Sequence, residues 1–207
     1  MKFYESGDSS KPVIFLFPGT CCLYSSFEHV LDGLHSYFYT ITVSYDGFDP
    51  NEKTEFYSME EECEKIEQKI KKKYCGRIKA AYGCSLGGSF VSLLIQRKRI
   101  HIEHGIIGSS DMDEAGNLVA KIQASMVVPF MYKMVHTGAL PKFMQKKLSK
   151  TDGAKKELYN GFLNMFGIGK GGSPWITKQS VYNQFYSDLV TKVQHGIDVP
   201  GTTIHVF

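Results

Sequence analysis

Apolar runs and helical periodicities alternate through the first half of the chain. Val13, Ile14, Phe15, Leu16 and Phe17 form an unbroken apolar run closed by Pro18 and Gly19, the pattern of a strand buried on both faces. A helical pattern follows, with Phe27, Val30, Leu31 and Leu34 on one face and Ser25 and Glu28 at capping-box spacing. Residues 39–45 read as a second strand, ending in a loop over residues 46–50. The next helix is the most completely signed. Ser58 and Glu61 make a second capping box, and Met59, Cys63, Ile66 and Ile70 recur at spacings of four, three and four. Acidic residues open it, while Lys71, Lys72 and Lys73 close it, as the helix dipole favours. Beyond Gly76, residues 78–82 read as a third strand, residues 89–97 as a helix and residues 104–108 as a fourth strand.

Strand and helix thus alternate to about residue 110, which predicts an α/β fold with a mostly parallel sheet flanked by helices. The pattern then changes. Apolar residues at helical spacing (Leu118, Ile122, Met126; Met131, Met134, Val135; Leu158, Phe162, Met165) fill the next stretch, broken by Pro129, Pro141 and the glycines between 167 and 172. The reading is a first part of the core over residues 1–112, a helical insertion over 113–196, and a strand resuming over 197–207.

Composition sharpens this only slightly. The 207 residues are 43% hydrophobic and 22% charged, ordinary for a folded soluble chain that can bury one sizeable core. Lys and Arg number 24 against 21 Asp and Glu, a balance that does not point to nucleic acid. Five cysteines, without a CxxC pair or histidines at zinc-ligand spacing, suggest neither a disulfide framework nor a structural metal. The first eleven residues carry no apolar leader, and no uninterrupted apolar stretch has the ~18 residues of a membrane span. The expectation is a protein of the reducing cytoplasm with no membrane span.

The candidate chemistry lies in Gly83, Cys84, Ser85, Leu86 and Gly87, a G-x-S-x-G sequence between a strand and a helix. A serine perched on so tight a turn needs small residues two before and two after it. The turn aims the Leu86 N–H and the helix N-terminus at the place where negative charge develops on an attacked carbonyl. The loop after the first apolar strand, Pro18, Gly19 and Thr20, can supply a second oxyanion donor from the Thr20 N–H. Gly167, Gly169 and Gly172 match G-x-G-x-x-G, but a helical segment precedes them and Pro174 follows, so no dinucleotide site is expected.

These motifs together resemble the α/β-hydrolase family, esterase- or lipase-like, with the helical insertion in the position of a cap. The resemblance implies a Ser85 nucleophile, an oxyanion hole from Thr20 and Leu86, no cofactor or metal, and a small-molecule acyl substrate such as an ester or thioester. It also implies an acid after a late strand and a histidine after the last one. The chain ends on what reads as the penultimate core strand, so the last strand and helix of the family pattern are missing. Asp111 or Asp113 could stand in as the acid, and His29, His35, His101, His104, His136, His195 and His205 are the available bases. The alternative reading is therefore a truncated, catalytically crippled hydrolase-fold protein that acts as a binding module or is an inactive fragment. An exposed sheet edge at the last strand would favour a homodimer. The Met- and Phe-rich insertion (Met126, Phe130, Met131, Met134, Phe143, Met144, Phe162, Met165, Phe166) suits either core packing or an acyl pocket.

Overall fold

The structure, a computed structural model, describes residues 1–110, 114–166 and 171–207. Its strands are β1 (Lys2–Ser6), β2 (Val13–Phe17), β3 (Tyr39–Ser44), β4 (Arg77–Cys84), β5 (His101–Gly108) and β6 (Thr203–Val206). The helices are α1 (Glu28–His35), α2 (Met59–Tyr74), α3 (Leu86–Arg97), α4 (Asn117–Thr137), α5 (Lys142–Leu148), α6 (Ala154–Met165) and α7 (Lys178–Val190). The sheet runs in the order β1-β3-β2-β4-β5-β6; β1 lies antiparallel to β3, and all other pairs are parallel.

The apolar run of β2 is buried on both faces because its side chains alternate between two cores. Phe15 and Phe17 join the larger core with Ile41, Val43, Met59, Ile66 and Phe90, on the side covered by α2 and α3. Ile14 and Leu16 join a smaller one with Phe27 and Ala80, closed by Leu31 and Leu34 of α1. The covering on that second side is thin. No residue of α1 is fully buried, and an apolar groove of about 430 Å³ opens between Leu34, Phe38, Tyr82 and Ile106.

α2 forms as its sequence predicts. The Ser58 hydroxyl accepts the Glu61 N–H at 3.2 Å, and Met59, Cys63, Ile66 and Ile70 are all fully buried. α1 departs from its prediction: neither Ser25 nor Ser26 caps it. A 3₁₀ turn over Tyr24–Phe27 runs directly into the helix, so the Ser25 carbonyl, rather than its side chain, meets the Glu28 N–H. Val30 is left 38% exposed because it lines that open groove.

β1 was not legible in the polar N-terminal residues. Long-range contacts hold it instead. Phe3 packs edge-to-face on Phe15 with ring centroids 6.2 Å apart, and Tyr4 stacks on Tyr24. Glu5 accepts from Lys69, Lys73 and the Tyr39 hydroxyl. Burial acts to raise the Glu5 carboxyl's pKa, but those three donors outweigh it and hold the value at about 2. The terminal amine of Met1 pairs with Asp46 and with Glu52.

The segment between β5 and β6 holds α4 to α7, and the first of these turns its large apolar residues outward. Ala120, Ala124 and Val128 are the buried stripe of α4, packed against α7, whereas Leu118, Ile122 and Met126 point to solvent. His101 and His104, expected to flank a strand, both lie within β5. β6 pairs with β5 alone and forms one edge of the sheet.

Candidate active site

β4 carries the chain to the rim of the sheet, and α3 leaves immediately. Between them stands one residue, Ser85, at φ 54° and ψ −126°. An L-residue is strained in that region, which is the glycine-favouring first central position of a type II′ turn. The turn is fixed from both sides: the Ser85 N–H donates to the Gly108 carbonyl at 2.9 Å, and its own carbonyl accepts from Gly88 at 2.7 Å. α3 starts at Leu86, three residues earlier than the sequence pattern suggested, so its first turn lies directly beneath the serine.

The two glycines of the motif are sterically required. A Cβ on Gly83 would run into the Gly87 carbonyl, and a Cβ on Gly87 would run into the Phe17 carbonyl. Neither obstacle is a side-chain end that could swing away. Ser85 itself is exposed, and its hydroxyl has no hydrogen-bond partner among the described residues.

The loop after β2 lies against this turn. A Cβ built on Gly19 would sit 3.2 Å from the Cys84 carbonyl and 3.7 Å from Ser85 Cβ, which places the loop within van der Waals range of the serine. The loop is held at three points. The Tyr45 hydroxyl donates to the Pro18 carbonyl at 3.1 Å, the Cys22 N–H donates to the Gly19 carbonyl at 3.0 Å, and the Cys21 N–H donates to Gln184 Oε1 at 2.7 Å. Among the described residues the N–H groups of Thr20 and Leu86 donate to no protein acceptor.

Gln184, fully buried on α7, is the residue that sequence reasoning missed. It reaches 163 positions back along the chain to hold the loop, and no apolar periodicity marks it, because the buried face of α7 is itself mostly polar (Ser180, Gln184 and Ser187 with Val181). The neighbouring thiols do not compete with the serine. Burial, with the Cys84 sulfur close by, pushes the Cys22 thiol up to about 12, and burial raises Cys21 further. Cys84 is half-buried and lines the apolar groove.

No histidine among the described residues is hydrogen-bonded to Ser85. His35 is engaged with Ser6 and Thr40 at 3.0 and 3.2 Å, His104 with His205 at 3.3 Å, and His136 with the Ile176 carbonyl at 3.3 Å. His29 lines the groove from α1, His101 lies in β5, and His195 is exposed. Asp111 and Asp113 lie outside the described residues, as do Gly167 and Gly169 and the side chains of Phe143, Leu158, Phe162 and Met165. The loop that leads to Asp111 does reach the turn: Ser110 Oγ lies 3.2 Å from Ser89 Oγ, and Ser110 Cβ would stand 2.8 Å from a Cβ on Gly88.

No protein-family model matches the sequence, and no curated protein matches it either. Solved structures do. An α/β-hydrolase family protein from Desulfitobacterium hafniense superposes with a TM-score of 0.72 at 15% identity, covering 99% of this chain and 78% of its own. An enol-lactonase from Burkholderia xenovorans gives 0.67 at 15% identity, covering 99% of this chain and 75% of its own. A thermophilic esterase from Thermogutta terrifontis gives 0.69 at 13% identity, covering all of this chain and 84% of its own. The strand order, the strained serine at the end of β4 and these superpositions agree: the chain has the α/β-hydrolase fold.

Proposed function

We propose that the chain is a serine hydrolase acting on a small acyl compound, an ester or thioester, with Ser85 as nucleophile. One observation carries the reading: Ser85 is held at φ 54° with the Gly19 loop against it, and the N–H groups of Thr20 and Leu86 are used by no protein acceptor among the described residues. Strain of that kind persists only where the surroundings impose it, and it collects at reacting groups. Attack of Ser85 Oγ on the acyl carbon, its proton passing to a general base that returns it to the leaving alcohol or thiol, would form a tetrahedral oxyanion at the Thr20 and Leu86 N–H groups. Collapse would release the alcohol or thiol, and water would then free the acid from the acyl-enzyme. The helices of residues 113–196 would act as the cap that shapes the pocket, and no cofactor or metal enters the scheme.

The free thiols of all five cysteines suit a reducing, cytoplasmic setting. A second reading, an acyl-binding module without turnover, is favoured by the hydroxyl of Ser85 lacking a described partner. Turnover of p-nitrophenyl acyl esters by the full chain, alongside Ser85→Ala, separates the two. The proposed reading expects hydrolysis that Ser85→Ala abolishes. Binding of the esters without release of nitrophenol would support the second reading.

A further inference from the structure

The outer face of α4 is built wrongly for water. Leu118, Ile122 and Met126 stand four residues apart on one face and are 73%, 53% and 75% exposed, with Val119 beside them. They lie opposite the small stripe of Ala120, Ala124 and Val128 that packs on α7. Isolated exposed apolar residues are ordinary, but a contiguous stripe over three turns marks an interaction surface. Among the described residues α4 is also the one helix long and apolar enough to meet the length-and-composition test for a membrane span. It cannot span while its other face is packed on α7.

The charge around the stripe selects the partner. α4 carries Lys121 and Lys133 and no acidic residue. Glu114, just before it, is paired with Lys192 at 3.6 Å. Two copies meeting through this face would bring like charges together with no carboxylate on either α4 to pair them, which disfavours a second copy as the occupant. An anionic lipid surface satisfies both features. Its acyl region takes the apolar stripe, and its headgroups take the lysines at the rim.

We propose that α4 is a membrane-docking helix, lying in the plane of an anionic bilayer surface with Leu118, Ile122 and Met126 inserted. This holds whatever chemistry Ser85 performs. The docking would keep the protein peripheral and reversible, because one amphipathic helix with two lysines of its own binds far less tightly than a spanning helix.

The test is co-sedimentation of the full chain with phosphatidylcholine vesicles, with and without phosphatidylserine. The expected result is binding to the mixed vesicles that is far weaker on phosphatidylcholine alone. The triple variant Leu118→Gln, Ile122→Gln, Met126→Gln would lose about tenfold or more in affinity. The double variant Lys121→Gln, Lys133→Gln would lose about fivefold for each lysine, on the mixed vesicles only. All replaced side chains are exposed, so circular dichroism and thermal unfolding should match wild type. Failure of the folded wild type to bind, or equal binding by the triple variant, would overturn the proposal. So would a solution dimer that the triple variant converts to monomer, since the stripe would then belong to a second copy.

Discussion

Replacing Ser85 by glycine should make the protein more stable, while replacing it by alanine should not. At φ 54° and ψ −126° the Cβ of any L-residue is strained, and such positions cost about 1–3 kcal/mol. Glycine occupies this region freely but carries more unfolded-state entropy, worth roughly 0.5–1 kcal/mol. The Ser85 side chain is exposed and its hydroxyl has no described partner, so its removal forfeits no contact that would offset the gain. The expected net is about 1 kcal/mol in favour of Ser85→Gly, a rise of about 2–4 °C in Tm for a chain of this size. Ser85→Ala keeps the Cβ and hence the strain, and should stay within about 0.5 kcal/mol of wild type. Urea unfolding followed by circular dichroism, with equal m-values for the three proteins, measures the difference directly. If Ser85→Gly is no more stable than Ser85→Ala, the turn does not store strain at this residue, and the argument from backbone geometry to a nucleophile loses its footing.

Gln184→Leu keeps the volume of a buried side chain but leaves the Cys21 N–H without its acceptor; it should cost about 1–3 kcal/mol and slow any reaction at Ser85, with Gln184→Glu restoring part of both. Equal reactivity in wild type and Gln184→Leu would show that the loop holds its place without α7. Glu62, fully buried, has its pKa raised from 4.5 to about 7 by burial, against the lowering pull of Lys65. The folded state therefore binds this proton more tightly than the unfolded chain. The resulting stability is present in full below about pH 4.5 and is lost as the pH rises through about 7. Relative to Glu62→Gln, the wild type should lose on the order of 3 kcal/mol at most across that window. A difference that stays flat from pH 4 to 8 would show that Glu62 titrates alike in the folded and unfolded chain, contradicting the raised value.

Much of the core was readable because its signals are local. The run from Val13 to Phe17 is apolar at every position, and α2 announces its start, face and end within sixteen residues. The turn at Ser85 was equally legible, since two glycines that cannot bear a Cβ must appear in the sequence as glycines. β1 was hidden because Lys2, Glu5 and Ser6 read as polar, and what holds the strand is contributed by Asp46, Lys69 and Lys73 far along the chain. α4 shows a different limit. Periodicity identified a helix with large apolar residues on one face, and the ordinary inference buries that face. Here the alanines allow close approach to α7, and the large side chains are left outside. The partner of Ser85 was the least legible, because a base is brought to a nucleophile by the fold, and seven scattered histidines carry no local mark that separates one from another.

The most direct test of the central reading is the intact mass of the full chain after incubation with a fluorophosphonate, in parallel with Ser85→Ala. A serine activated as proposed gains one phosphonyl group by displacing fluoride, and Ser85→Ala gains none. An unmodified wild type, shown to be folded by its circular dichroism, or an adduct that persists in Ser85→Ala, would contradict Ser85 as the nucleophile.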